Sequence, residues 1–210
     1  CNICYAECPF DAIRMNDRND SSGYHKLAII NSAQCTGCGI CVGACPTDAI
    51  DLKGGYNGEQ VFGAVKGALS QEKQNGSPVT VLFASHRDEA LGGLPAELNV
   101  SKEKAPVAVA TVGGEEAARV ITAVLPSISA VNIEWIKSLH TAGARDVVLL
   151  SHPYDDGVYR EDAHWILSRL HSRHALVKKE VHWLETTPGN SRTVLNFLNN
   201  LHRSETQAKK

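Results

Sequence analysis

Seven cysteines at positions 1, 4, 8, 35, 38, 41 and 45 constrain this chain more than any other feature, and residues 46–210 contain none. The second group reads Cys35-Thr-Gly-Cys38-Gly-Ile-Cys41-Val-Gly-Ala-Cys45-Pro46, a C-x2-C-x2-C-x3-C-P run. The first, Cys1-Asn-Ile-Cys4-Tyr-Ala-Glu-Cys8-Pro9, is the same run without its leading cysteine. Adding 37 to 1, 4 and 8 gives 38, 41 and 45, and the tails repeat as well: Cys8-Pro-Phe-Asp-Ala-Ile13 against Cys45-Pro-Thr-Asp-Ala-Ile50. The unit is duplicated, and its absent cysteine is expected three residues before Cys1.

A cubane [4Fe–4S] cluster needs thiolates from all sides. The x2 gaps let three cysteines of one tight loop wrap one side of the cube, and Gly37 and Gly39 suit the sharp bends this requires. The fourth cysteine of such a run ligates the other cluster. On that exchange rule Cys8, Cys35, Cys38 and Cys41 hold one cluster, while Cys1, Cys4 and Cys45 hold a second with the upstream residue. Pro9 and Pro46 then lead the chain away from the site. Structural zinc generally takes its four ligands as two separated pairs, and a disulfide framework would not leave the larger part of the chain without cysteine.

Composition bounds the rest. A net charge of -2 and a pI near 6.5 give no reason to expect nucleic acid or a membrane surface as partner. No run of about 18 apolar residues is present, so no membrane-spanning helix is expected. Thiolate-bound clusters suit a reducing compartment, most simply the cytoplasm. The one methionine, Met15, lies inside the cysteine-rich unit, so the chain is expected to be a piece of a longer protein.

The patterning predicts an α+β two-cluster, ferredoxin-like domain over residues 1–58, with strand-like pieces at Ala12–Met15, Leu27–Asn31 and Ala49–Leu52 and a polar loop from Asn16 to Gly23. A helix and linker follow over 59–77. Apolar Val61, Val65, Ala68 and Leu69 mark a short helix over 59–70, and Lys73–Pro78 reads as flexible. Residues 78–204 read as a small α/β domain with a mainly parallel sheet. Its strands are Val79–Ala84, Val107–Val112, Val147–Leu150 and Val181–Leu184, and residues 115–125 support either a helix or a strand. Asn132 caps one helix, which Gly143 ends. A second carries Ala163, Ile166, Leu167, Leu170 and His174, and a third Val194, Leu198 and Leu201. Residues 205–210 read as a frayed tail.

Residues 1–76 resemble the C-terminal ferredoxin region of the flavin-carrying subunit of heterodisulfide reductase and of its relative in the quinone-interacting membrane-bound oxidoreductase. Residues 78–203 look like the delta subunit of methyl-viologen-reducing hydrogenase, most closely over Asn132-Ile-Glu-Trp-Ile-Lys-Ser-Leu-His-Thr-Ala-Gly-Ala-Arg-Asp-Val-Val148 and Ser151-His-Pro153. That resemblance implies a [2Fe–2S] site whose cysteines would fall near Ser85, Asp88, Ser127, Ser151 and Asp156. Oxygen side chains stand there instead, and oxygen is a poorer partner than thiolate for such a cluster. The resemblance also implies FAD in an upstream part of the parent protein and other subunits of an anaerobic redox complex as partners.

No catalytic arrangement is legible. The nine histidines, among them His152, His164, His171 and His174, read as loop or packing residues rather than a metal site. Trp135, Trp165 and Trp183 read as core of the second domain. The Gly pairs at 54–55, 92–93 and 113–114 form no dinucleotide fingerprint. The favoured function is an electron-transfer module with two [4Fe–4S] clusters, relaying single electrons between an upstream flavin and partner subunits. Two other readings compete: an assembly segment whose α/β domain docks a catalytic or membrane subunit, and an α/β enzyme fed by the clusters.

Overall fold

A computed structural model describes residues 1–52, 57–76, 78–85, 94, 98, 107–112, 118–151 and 181–208. Sequence repetition becomes structural repetition at the N-terminus. Helices α1 (Ile3–Ala6) and α2 (Ile40–Ala44) each sit inside a cysteine run. Asp11 and Asp48, three residues after Cys8 and Cys45, both adopt φ +50. This left-handed backbone is one that Asp tolerates better than most residues. Strands β1 (Ile13–Asp17) and β2 (Lys26–Ile30) form an antiparallel hairpin in which Ile13 faces Ile30, so Asn16 and Asp17 belong to a strand rather than to the loop.

Ala49–Leu52 is not a strand, against expectation. The Asp51 carboxylate accepts hydrogen bonds from the Leu52 N–H at 3.1 Å and the Gly58 N–H at 3.2 Å. Such local capture of N–H groups by Asp competes with a ladder.

Helix α3 (Gly58–Gln74) is longer than the sequence suggested. Asn57 caps it, accepting from the Gln60 N–H at 2.8 Å. It takes in Lys73 and Gln74, read as linker, and closes at Asn75 with Gly76 at φ +74. The reason is packing: Val61, Val65 and Leu69 form one buried stripe against the sheet, and Glu72 is ion-paired to Arg119 of the sheet through two nitrogens. That guanidinium holds the Glu72 carboxyl below its usual range.

The sheet has five strands in the order β4-β5-β3-β6-β7: β3 is Val79–Ser85, β4 Val107–Val112, β5 Ala118–Leu125, β6 Asp146–Ser151 and β7 Val181–Glu185. Only the β4–β5 pairing is antiparallel; β3–β5, β3–β6 and β6–β7 are parallel. The ambiguous segment 115–125 is thus a strand where it is described, consistent with the β-branched run Val120-Ile121-Thr122. Every residue of β3 is buried, as a central strand with helices on both faces should be. Val79, Val81 and Phe83 meet α3 and helix α4 (Ile133–Ala142) on one face. Leu82 and Ala84 meet Val194 and Leu198 of helix α5 (Ser191–Ala208) on the other. Helix α5 continues through Ala208, four residues into the expected tail. The expected helix around Ala163–His174, with Trp165, lies outside the described residues.

Candidate metal centre

The N-terminal hairpin and the second cysteine run line a pocket that opens to solvent. Cys8, Cys35, Cys38 and Cys41 all line it, with Phe10, Ile13, Ile30 and Ile40 among the apolar walls. Cys45 does not, although it follows Cys41 by only four residues. Cys41 lies within helix α2, whereas Cys45 is its C-cap, with extended backbone. Gly37 at φ +68 and Gly39 at φ +84 make the bends that bring Cys35, Cys38 and Cys41 onto one wall.

Among the described residues no three His, Cys, Asp or Glu side chains converge tightly enough for a single metal ion. All four thiols nevertheless line one pocket, as the ligands of one polynuclear cluster must. The electrostatics agree. Burial pushes the Cys41 thiol up to about 11, with Cys38, Cys35, Cys8 and Cys4 adding to the rise. Thiolates gathered in an apolar pocket repel one another, and bound iron is what would offset that repulsion.

A second group forms around Cys4 and Cys45, both buried. Burial raises the Cys4 thiol, and Cys45 is near enough to add to the effect. Burial also opposes ionisation of Cys45, but hydrogen bonds from Thr47 and the Ala49 N–H outweigh it and lower this thiol. The Ala49 N–H lies 3.3 Å and the Thr47 hydroxyl 3.5 Å from Cys45 Sγ. Such contacts to a ligating sulfur tune a cluster's potential. Cys1 is exposed.

The α/β domain closes on this second group. Asn132 was legible as the cap of α4, and its Oδ1 does accept from the Glu134 N–H at 2.9 Å. Its Nδ2, though, donates to the Cys45 carbonyl at 2.7 Å and to Asp48 Oδ1 at 3.0 Å. Trp135 Nε1 donates to Asp48 Oδ2 at 3.3 Å, and its ring stacks on Phe62 of α3 with centroids 5.0 Å apart. Trp135 therefore joins the two regions as well as filling core. A Cβ on Gly39 would meet Ala130 Cβ at 3.0 Å, so the cysteine loop and the 3-10 turn Ile128–Ala130 touch closely. No sequence signal pointed to these contacts, because Asp48 and Asp11 occupy equivalent places in the repeat.

Ser85, Ser127 and Ser151, the positions implied by the delta-subunit resemblance, gather at one edge. Ser85 ends β3, Ser151 ends β6 and Ser127 follows β5, and all three are buried. Ser127 Oγ accepts from the Ser129 N–H at 3.1 Å. Asp88, Asp156, His152, His164, His171 and His174 lie outside the described residues. Among described residues no helix is long and apolar enough to cross a membrane.

Residues 1–49 match the family described as 4Fe-4S dicluster domain. No curated protein matches the chain. The N-terminal region is thus a ferredoxin-type, [4Fe–4S]-binding domain with an electron-transfer role, followed by a small α/β domain with a mixed, mostly parallel sheet.

Proposed function

We propose that the chain is an electron-relay segment with two [4Fe–4S] sites, and that Cys8, Cys35, Cys38 and Cys41 hold the first. The single observation carrying this is the cavity those four cysteines line together while Cys45 lies outside it. Cys4, whose thiol is raised in part by Cys45, contributes with Cys45 and Cys1 to the second site. When bound, such clusters supply one-electron transfer at potentials set by their surroundings. The protein's part is to fix the thiolates, exclude water with the apolar walls, and direct N–H groups at sulfur.

The parent protein, on this reading, carries FAD upstream and passes electrons to other subunits of a cytoplasmic, anaerobic redox complex of the heterodisulfide reductase type. The α/β region is then a delta-subunit-like domain without cluster thiolates. The gathering of Ser85, Ser127 and Ser151 at adjacent strand ends supports that likeness, since ligand positions of one site must meet. A domain of this kind serves for docking a partner subunit rather than as an electron exit.

Anaerobic reconstitution with iron and sulfide, followed by iron analysis and EPR of the dithionite-reduced chain, tests the proposal. The expected result is a reduced [4Fe–4S] signal that disappears from the first site in Cys38→Ala. Zinc in place of iron, or a [2Fe–2S] signal assigned to the α/β domain, would defeat it.

A further inference from the structure

We infer that Asn132, assisted by Trp135, is a positioning residue for the cluster that Cys45 serves, and sets that cluster's potential apart from its neighbour's. The inference rests on the two-site reading above and adds a role for the α/β domain: adjusting one cluster without ligating it.

The Cys8–Asp11 and Cys45–Asp48 turns have the same backbone, left-handed at the aspartate. Asp11 and Asp48 are both exposed, so what sets Asp48 apart is its bonding. Asp48 has both carboxylate oxygens occupied, Oδ1 by Asn132 Nδ2 and Oδ2 by Trp135 Nε1. Asn132, only 4% exposed, also grips the Cys45 carbonyl. The residue after Asp48 is Ala49, whose N–H points at Cys45 Sγ. Two donors from another domain therefore fix the carbonyl of a ligand residue and the side chain next to the N–H···S contact. They also draw off part of a carboxylate's negative charge beside the cluster.

Reduction adds one electron, and so one negative charge, to the cluster. N–H···S contacts, and N–H donors that take up part of the Asp48 charge, both favour the reduced state. Loss of the two donors should therefore lower the potential of this couple and leave the other in place.

Potentiometric EPR on the reconstituted parent protein, which supplies the upstream ligand of the second site, tests this, with wild type beside Asn132→Ser, Asn132→Asp and Trp135→Phe. Ser and Asp both remain good N-caps for α4, so loss of the helix is not at issue. Ser is too short to span to Cys45 and Asp48 together, while Asp turns a second carboxylate on Asp48. Phe retains an aromatic face for Phe62 but has no N–H. All three should shift one couple downward, by roughly a three- to tenfold fall in its reduced-to-oxidised ratio at fixed potential, tenfold being ~59 mV for one electron. Asn132→Asp should shift it furthest, and the second couple should stay put. Loaded clusters with neither couple moved, or both moved equally, would overturn the inference alone. A wild-type chain with no reducible cluster would overturn the two-site reading as well.

Discussion

The turns Cys8-Pro-Phe-Asp11 and Cys45-Pro-Thr-Asp48 are copies of each other, and their backbones agree down to φ +50 at the aspartate. Their surroundings do not agree. Cys8 is half-buried and faces the cavity of the other run, and Phe10 and Asp11 are exposed, as are their counterparts Thr47 and Asp48. Cys45 is buried, its sulfur accepts from the Ala49 N–H and lies against the Thr47 hydroxyl, and its carbonyl and Asp48 are held by the α/β domain. Local sequence therefore sets the shape of a cluster turn, and a partner fold more than 80 residues along the chain sets its environment.

The sharpest way to break the comparison is to remove the two sulfurs separately. Cys8→Ser should abolish the site that contains Cys35, Cys38 and Cys41, and Cys45→Ser the site that contains Cys4, with each variant keeping the other's EPR signal. Loss of the same signal from both variants would mean that the ligand exchange between the runs is wrong.

Next in size is Gly39→Ala, at the point where the second run meets the α/β domain. Ala at φ +84 costs about 1–2 kcal/mol for the left-handed backbone. Its Cβ would also press on Ala130 at 3.0 Å, adding about 1–3 kcal/mol of overpacking. Gly23→Ala has the same kind of φ, +75, but open space around it, so only the first cost applies. Thermal unfolding of both reconstituted variants measures the difference, and equal losses would show that the close contact to Ala130 does not matter.

Much of this was legible in the sequence because it is local. Cysteine spacing, the internal repeat, the cap at Asn132, the stop at Gly143 and the buried faces of α3, α4 and α5 all follow from short-range patterns. What was not legible depended on tertiary context. Lys73 and Gln74 look like linker until Glu72 is seen ion-paired to Arg119 across the sheet. Ala49–Leu52 looks like a strand until Asp51 claims the nearby N–H groups. The role of Asn132 at Cys45 was hidden because its Oδ1 does what any N-cap does, while its Nδ2 reaches across 87 positions in the chain.

Asp48→Ala against Asp11→Ala sharpens the comparison at smaller scale. Both lose a residue suited to the left-handed region, about 1 kcal/mol. Only Asp48→Ala also strips the acceptor from Trp135 Nε1 and one acceptor from Asn132 Nδ2, adding about 1–2 kcal/mol for donors left unmatched. Chemical denaturation should rank Asp48→Ala below Asp11→Ala by that margin.

The smallest expected effect comes from loosening the α/β domain where it does not touch the cysteines. Asp146 begins β6 at the amino edge of the sheet, opposite the Ser151 edge, about 17 Å away at ~3.3 Å per residue. It accepts from His182 Nε2 at 3.0 Å and from Arg145 Nε at 2.7 Å. Burial alone would raise its carboxyl, but the hydrogen bonds from His182 and Arg145 outweigh this and hold it below the usual range. A carboxyl depressed by folding stabilises the fold above its unfolded value, near pH 4, and loses that contribution as pH falls through the folded value. Since Arg145 and His182 are themselves partly exposed, solvent screens the pairs, and Asp146→Asn should cost about 1 kcal/mol at pH 7. The gap in melting temperature between wild type and variant should narrow below about pH 4. At pH 7 both cluster couples should remain where they are in wild type. If Asp146→Asn shifts the Cys45-side couple as far as Asn132→Ser does, that couple responds to the general firmness of the α/β domain. An unmoved couple assigns the effect to the Asn132 and Trp135 contacts themselves.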